Sequence, residues 1–526
     1  MTHRRFPVYK KILILCLLAS GAFASPCRAE SALNAARSIP VQHNGRIKPF
    51  DSFARQTLKL ISSSQKWDKK PAAEVLLNAL ADRSKISALP WMRVDYFELK
   101  DTLGFPRERS FFSLDEIAPS AAKIQTLVKS AKAKRDNDER PSKLEQKAEL
   151  LYSQVAAVQN LVSGDSPAVS PAQKAGAWTT SGEFENLIRL YKQGPSEKFQ
   201  EAAKKWSDRI YAASPEASRG KIFAEVFYFK LRPFEWAVLF YLAGFLLLSV
   251  FNRMKSAPVL GTTFAVIAIL FHTAGLGLRI FVLSRPPVSN MYESMVFMNW
   301  ALIIFASIFS LAGNGKIALK AGALISGIVM IYADLLPIDS SLDVLVPVLR
   351  SNYWLSIHVM TVVSSYGAFG LAMALGHRHL LLSQFGKFSK KDEEESARLI
   401  YRVIQLGVIL IGTGTFLGGV WANESWGRFW GWDPKETWAL ITFLGYLAVV
   451  HLRYAKKINN FQLGLCAVLG FLLVLMTWYG VNFVLGRGLH SYGQGSGGMR
   501  WVIYYLVAEA CFVGWILRPG KRAFSE

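Results

Sequence analysis

Val259-Leu-Gly-Thr-Thr-Phe-Ala-Val-Ile-Ala-Ile-Leu-Phe-His-Thr-Ala-Gly-Leu-Gly-Leu-Arg-Ile-Phe-Val-Leu283 runs for 25 residues broken only by three threonines, His272 and Arg279. A helix needs about 20 mainly apolar residues to cross about 30 Å of hydrocarbon, so this stretch is long enough to span a membrane. It does not stand alone. Further runs of the same kind occupy Phe234–Phe251, Met295–Leu311, Ile317–Leu336, Trp354–Gly376, Ile400–Val420, Trp438–Tyr454, Phe461–Tyr479 and Trp501–Leu517, which makes nine in all. No soluble core needs so many, and the fold class is an all-α polytopic membrane protein with about nine C-terminal transmembrane helices.

The 526 residues are 51% hydrophobic, yet the nine spanning runs all lie beyond Arg232. Residues 1–24 place Arg4, Arg5, Lys10 and Lys11 before an apolar run from Ile12 to Ala19 and small residues around Ala22 and Ala24. That order predicts a signal peptide, with an uncleaved anchor as the alternative. Residues 25–230 hold no spanning run and predict an exported, mainly helical domain. Its stretch from Ala121 to Val162 reads as charged amphipathic helix broken at Pro141, and Val41-Gln-His-Asn-Gly-Arg-Ile-Lys-Pro-Phe-Asp51 as a turn leading into a helix, with His43 on the surface. The third part, residues 231–526, is the transmembrane domain.

The formal charge of +23 raises the question of nucleic acid, and its placement answers it. With the N-terminal domain outside, sixteen basic residues fall in the inner loops and tail, from Arg253 and Lys255 to Arg518, Lys521 and Arg522. Six fall in the outer loops: Arg285, Arg350, Arg428, Lys435, Arg487 and Arg500. Basic residues concentrate on the cytoplasmic side of membrane proteins, so the distribution predicts N-out, C-in and no nucleic-acid partner. Cys16, Cys27, Cys466 and Cys511 show neither C-x-x-C nor metal-ligand spacing. Targeting sequence accounts for the first two and apolar packing for the others.

The loop after the sixth run carries Trp421, Trp426, Trp430, Trp432 and Trp438, five tryptophans in eighteen residues, interleaved with Arg428, Asp433, Lys435 and Glu436. An interfacial aromatic belt spreads its indoles over several helix ends, whereas this cluster sits in one outer loop. A dense indole surface suits a large, flat, apolar ligand that stacks, with Arg428 and Lys435 available to its acidic groups. Haem has that shape. His358 lies near the outer end of its run and His490 in the last outer loop, so both reach that face. Two imidazoles supply both axial ligands of a haem iron. Asp433 before Pro434 has the form of a helix N-cap, and Glu436 either aligns the loop or faces the ligand. His272 is mid-span and serves either a haem path or a hydrogen bond between helices. His377 and His379, beside Arg378 at an inner helix end, read as topology and headgroup contact. The Gly493–Gly498 run reads as a flexible loop. No residue is separately assignable as catalytic.

Trp426-Gly-Arg-Phe-Trp-Gly-Trp-Asp-Pro-Lys-Glu-Thr-Trp438 resembles the signature of the WWD haem-handling family that includes CcsA, CcmC and CcmF. Arg285-Pro-Pro-Val-Ser-Asn-Met-Tyr-Glu-Ser294, Tyr353-Trp-Leu-Ser-Ile-His358-Val and Gly480-Val-Asn-Phe-Val-Leu-Gly-Arg-Gly-Leu-His490-Ser-Tyr-Gly493 are similar to CcsA (ResC-like) proteins, over about Phe234 to Leu517. The resemblance implies a System II cytochrome c synthetase subunit in a bacterial inner membrane. Such a subunit delivers haem b outward and joins it by thioethers to the C-x-x-C-H motif of an apocytochrome c. It implies His358 and His490 as external ligands, His451 as an inner-leaflet ligand, and a separate CcsB (ResB-like) partner supplying the second inner ligand. A thioredoxin-like reductant of the apocytochrome thiols is a further partner. The alternatives are a haem carrier that performs no ligation, and a b-type respiratory cytochrome subunit, for which only His272 and His451 lie deep enough.

Overall fold

A computed structural model of the chain describes residues 28–137, 139–171, 178–179, 182–194, 197–251, 253–313, 316–336, 338–343, 351–485 and 498–518. The expected targeting segment with Cys16 and Cys27, His490 and most of the glycine-rich run lie outside the described residues, as do Arg350, Arg487, Lys521 and Arg522. The chain divides into two compact units, Met1–Phe227 and Tyr228–Glu526.

The first unit is mainly helical. It contains α1 (Arg28–Arg37), α2 (Phe50–Ser62), α3 (Ala72–Ala81), α4 (Phe97–Leu103), α5 (Leu114–Ile117), α6 (Ala121–Asp136), α7 (Lys143–Ser163), α8 (Gly182–Lys192), α9 (Glu197–Ala213) and most of α10 (Arg219–Leu231). The turn expected at Asn44-Gly45 joins β1 (Pro40–His43) to β2 (Arg46–Pro49) in an antiparallel hairpin. Both turn residues have positive φ, the conformation for which Asn-Gly is suited. His43 is half-buried edge-on against Phe53 where a surface position was expected. Pro141 lies between α6 and α7, and Ser142 with Glu145 closes a capping box at the start of α7. One apolar cluster gathers Phe50, Phe53 and Leu58 from α2, Leu76 from α3, Leu161 from α7 and Phe199 and Trp206 from α9. These helices are amphipathic, and each turns its apolar stripe to that cluster.

The second unit is a helical bundle of α11 (Pro233–Ser249), α12 (Ala257–Leu283), α13 (Met291–Leu311), α14 (Ile317–Leu335), α15 (Leu355–Gln384), α16 (Lys390–Trp426), α17 (Pro434–Tyr454), α18 (Asn460–Leu485) and α19 (Met499–Ile516). In hydrocarbon every backbone polar group needs an internal partner, which a helix provides. Among the described residues eight helices are long and apolar enough to cross a membrane, so the protein is multi-pass. The ninth expected span forms α17, whose apolar stretch is shortened by Lys435 and Glu436 at one end and His451 and Arg453 at the other. It packs against α16 and α18 nonetheless.

α15 is the most enclosed helix of the bundle and α19 the least. The α15 sequence Ser-Ser-Tyr-Gly-Ala-Phe-Gly-Leu-Ala-Met-Ala-Leu-Gly, residues 364–376, is rich in small side chains, which let α13, α16 and α18 pack closely around it. Phe369 of α15 stacks on Tyr446 of α17 with ring centroids 3.8 Å apart.

Candidate functional site

Two widened, π-helical segments stand at one end of the bundle: Leu355–Val359, where α15 begins, and Met476–Leu485, where α18 ends. Such segments distort the regular ladder and turn side chains away from their usual positions. Between them, α13, α16 and α17 complete a cavity of about 1060 Å³, counting its open mouth. His358, Val359, Val362 and Tyr366 follow at helical spacing along its α15 wall.

His358 is fixed by its surroundings. Its Nδ1 lies 2.8 Å from the Gly414 carbonyl of α16. A carbonyl only accepts, so Nδ1 carries the proton and Nε2 keeps the lone pair that a metal requires. The ring fits because position 418 is glycine: a Cβ there would stand 2.6 Å from His358 Cε1. Trp421 meets the same imidazole at a 5.7 Å centroid distance. Trp421 and Trp354 are buried together with Leu417, Val420 and Val359, and Trp354 Nε1 donates to Glu424 at 2.7 Å.

The tryptophan loop is ordered by carboxylates. α16 ends at Trp426, and Gly427 follows at φ 70°, the left-handed stop that favours glycine. Arg428 folds back over Gly431 so closely that a Cβ at 431 would overlap its guanidinium. Trp430 lines the cavity and meets Trp432 edge-on at 5.9 Å. Trp432 itself is 69% exposed, at φ 56°. Asp433 caps α17 by accepting from the Lys435 backbone N–H at 2.9 Å. The Glu436 carboxylate accepts from the Gly431 and Asp433 backbones at 2.8 and 3.2 Å. This reciprocal capping box anchors both loop and helix.

His358, Trp421, Trp430, Lys435 and Glu436 therefore meet around one cavity. Trp426, Arg428, Trp432, Asp433 and Trp438 shape the loop or the start of α17 without lining that cavity. The Trp438 carbonyl accepts from Thr477 Oγ1 of α18 at 3.0 Å. Sequence reasoning missed the opposite wall as cavity lining: Val288, Ser289, Asn290, Met291 and Ser294, with Trp478 and Asn482 from α18. Trp478 Nε1 donates to Ser294 Oγ at 2.9 Å. Two motifs singled out in the sequence cover most of these residues, yet nothing in either indicated that they meet.

The other histidines have different surroundings. His272 is fully buried; its Nε2 lies 3.1 Å from the Val296 carbonyl and its Nδ1 3.1 Å from Tyr241 Oη, so both ring nitrogens are engaged. His451 is exposed on α17 with Nδ1 committed to the Leu447 carbonyl at 2.8 Å. His377 and His379 face neighbouring helices where headgroup contact was expected. His377 Nε2 is 3.0 Å from Glu509 of α19, and buried His379 places Nδ1 3.1 Å from Ser396 Oγ. Cys466 is half-buried, whereas Cys511 lies on the exposed side of α19 instead of packed inside. Among the described residues no cluster of three or more His, Cys, Asp and Glu is arranged to hold a bare metal ion. A wall of indoles and valines with one oriented imidazole suits a flat apolar ring that brings its own metal.

A family model described as cytochrome C assembly protein matches residues 288–490, a segment that holds His358, the tryptophan loop, His451 and His490. Protein NrfI of Wolinella succinogenes is 31% identical over 495 residues, covering 86% of this chain and 53% of NrfI. The chain thus spans about half the length of that relative. CcsA of Guillardia theta is 35% identical over 272 residues, 46% of this chain and 89% of the relative. CcsA of Synechococcus elongatus is 33% identical over 294 residues, 46% of this chain and 90% of the relative. By these matches the chain, a multi-pass membrane protein, belongs to the cytochrome c assembly family that includes CcsA and NrfI.

Proposed function

We propose that the cavity receives haem b on the outer face of a bacterial inner membrane and presents it for thioether attachment to the C-x-x-C-H motif of an apocytochrome c. The observation that carries this reading is His358, seated over Gly418 with Nδ1–H held by the Gly414 carbonyl, in the wall of an indole-lined cavity. His358 supplies one axial ligand and His490 the other. Trp421 and Trp430 take the faces and edges of the macrocycle, and Lys435 lies near enough to meet a propionate. In attachment each cysteine thiol adds across one vinyl group, its sulfur bonding to carbon and its proton passing to the neighbouring carbon. The protein's share is orientation: it holds the ring and admits the peptide.

His451 receives haem on the inner side. Its outward-facing position on α17 leaves the second ligand to come from another chain, a CcsB-like partner. Engagement of both His272 nitrogens disfavours a b-type cytochrome, which needs deep imidazoles open to iron. The exported domain docks the apocytochrome or the partner, and a thioredoxin-like protein keeps the substrate thiols reduced.

Co-expression with an apocytochrome c and a CcsB-like partner tests the reaction. Haem that stays on the cytochrome after denaturation and acid–acetone extraction identifies attachment. Haem that reaches the outer side but extracts completely identifies a carrier and overturns the ligation reading.

A further inference from the structure

The cavity wall that runs from Val288 to Ser294 rests on buried charge. Glu293, in the first turn of α13, is fully buried and accepts from Arg279 Nη2 at 2.8 Å and from Arg285 Nη1 at 2.9 Å. It also accepts from the Ser289 backbone N–H at 3.1 Å and the Ser289 hydroxyl at 2.6 Å. Arg285 donates in turn to the Ser289 hydroxyl. The arginines reach further. Arg279 donates to the carbonyls of Ser340 and Ser341 at 3.2 and 3.1 Å, and Arg285 to that of Asp343 at 2.9 Å. One carboxylate thus ties together the end of α12, the start of α13 and the segment 338–343.

Isolated buried charges are costly, and partner removal leaves an arginine without a counter-charge. A hydrophobic helix start would have sealed this end of the bundle with less penalty. What the charged arrangement fixes is the register of the wall: Ser289 is bonded to the triad, and one turn on, Ser294 receives the Trp478 indole N–H. Asn290 caps α13 through the Glu293 backbone, and Asn482 Nδ2 meets Met291 Sδ at 3.4 Å.

We infer that Glu293, clamped between Arg279 and Arg285, is a positioning residue that holds the Val288–Ser294 wall against α18 and so sets the cavity to its ligand. That the ligand is haem rests on the function proposed above; the brace itself does not. The test uses the full chain with Cys16, Cys27, Cys466 and Cys511 replaced by serine, Lys457→Cys in the exposed turn between α17 and α18 as a reference thiol, and Val288→Cys as a probe in the nearly closed wall. A polar maleimide is applied to haem-free protein in micelles, and the absorption spectrum is recorded after haem loading.

Glu293→Gln is expected to raise labelling at position 288 by about tenfold relative to the reference thiol at position 457, the scale on which supporting contacts act on a site. It is also expected to convert part of a bis-imidazole haem spectrum into one that added imidazole restores. Ser289→Ala, which leaves the three charges in place and removes only their hydroxyl link to the wall, is expected to do the same more weakly. It keeps the test open if Glu293→Gln fails to accumulate. Unchanged labelling in the variants that accumulate would overturn the brace. Faster labelling with bound haem unaltered would leave the brace standing and contradict the haem reading of the cavity.

Discussion

His272 and His358 both sit in apolar helices of the same bundle, and their surroundings assign them opposite work. His272 is sealed: Tyr241 and the Val296 carbonyl take its two nitrogens, and Phe234 closes on the ring at 5.6 Å. His358 has Nδ1 tied to a backbone carbonyl and its ring in the wall of a cavity. An intramembrane histidine is expensive and needs hydrogen-bond partners, and one in a cavity wall can in addition meet a ligand. Residue type and depth do not separate the two cases; enclosure among packed side chains against a place in a cavity wall does.

The largest expected effect comes from breaking the cavity side of this comparison. His358→Ala should lower haem retention by at least about tenfold with the protein still inserted, as loss of a ligand exceeds loss of a supporting contact. Haem content per purified protein measures it. His272→Leu should do the reverse. Its loss of two buried hydrogen bonds should lower thermal stability by about 1–3 kcal/mol while bound haem keeps its spectrum. A spectral change in His272→Leu equal to that of His358→Ala would erase the distinction.

A finer test leaves both histidines in place. Gly418→Ala puts a methyl group 2.6 Å from His358 Cε1, so the ring must move; haem affinity is expected to fall several-fold without loss of fold. Within the tryptophan loop, Trp430→Ala should weaken haem more than Trp432→Ala, because only Trp430 lines the cavity. Side-by-side haem titrations rank the two.

The smallest effect lies in the first, N-terminal unit. Lys134 and Ser130, with the Ser142 cap, hold the Glu145 carboxyl down at about 2 from its ordinary 4.5. A depressed carboxylate contributes stability above its unfolded value and loses it as pH falls through the folded one. The α6–α7 pair should therefore weaken between about pH 4.5 and 2, and Glu145→Gln should flatten that part of an acid-unfolding curve.

The spans were legible because twenty apolar residues have few other uses, and α17 was the least regular because its ends carry charge. The tryptophan loop was legible because five indoles beside charged residues are improbable in one short loop, and His358 because it stands close to the end of an apolar run. The serine-lined wall opposite was not, since Ser294 meets Trp478 across 184 residues of chain. The hairpin at Asn44-Gly45 was half read: the turn was visible, and the short strands beside it were not. Glu509, the partner of His377, lies in a span whose hydropathy masks a single acid.

The central claim, that the cavity binds haem through His358, is tested most directly by one absorption experiment. The reduced spectrum of the purified wild type is compared with His358→Ala, His490→Ala and the double variant, before and after imidazole is added. The account predicts a bis-imidazole spectrum that weakens in each variant and returns with imidazole. Bound haem that ignores both the substitutions and the imidazole would contradict it and turn attention to the deep histidines.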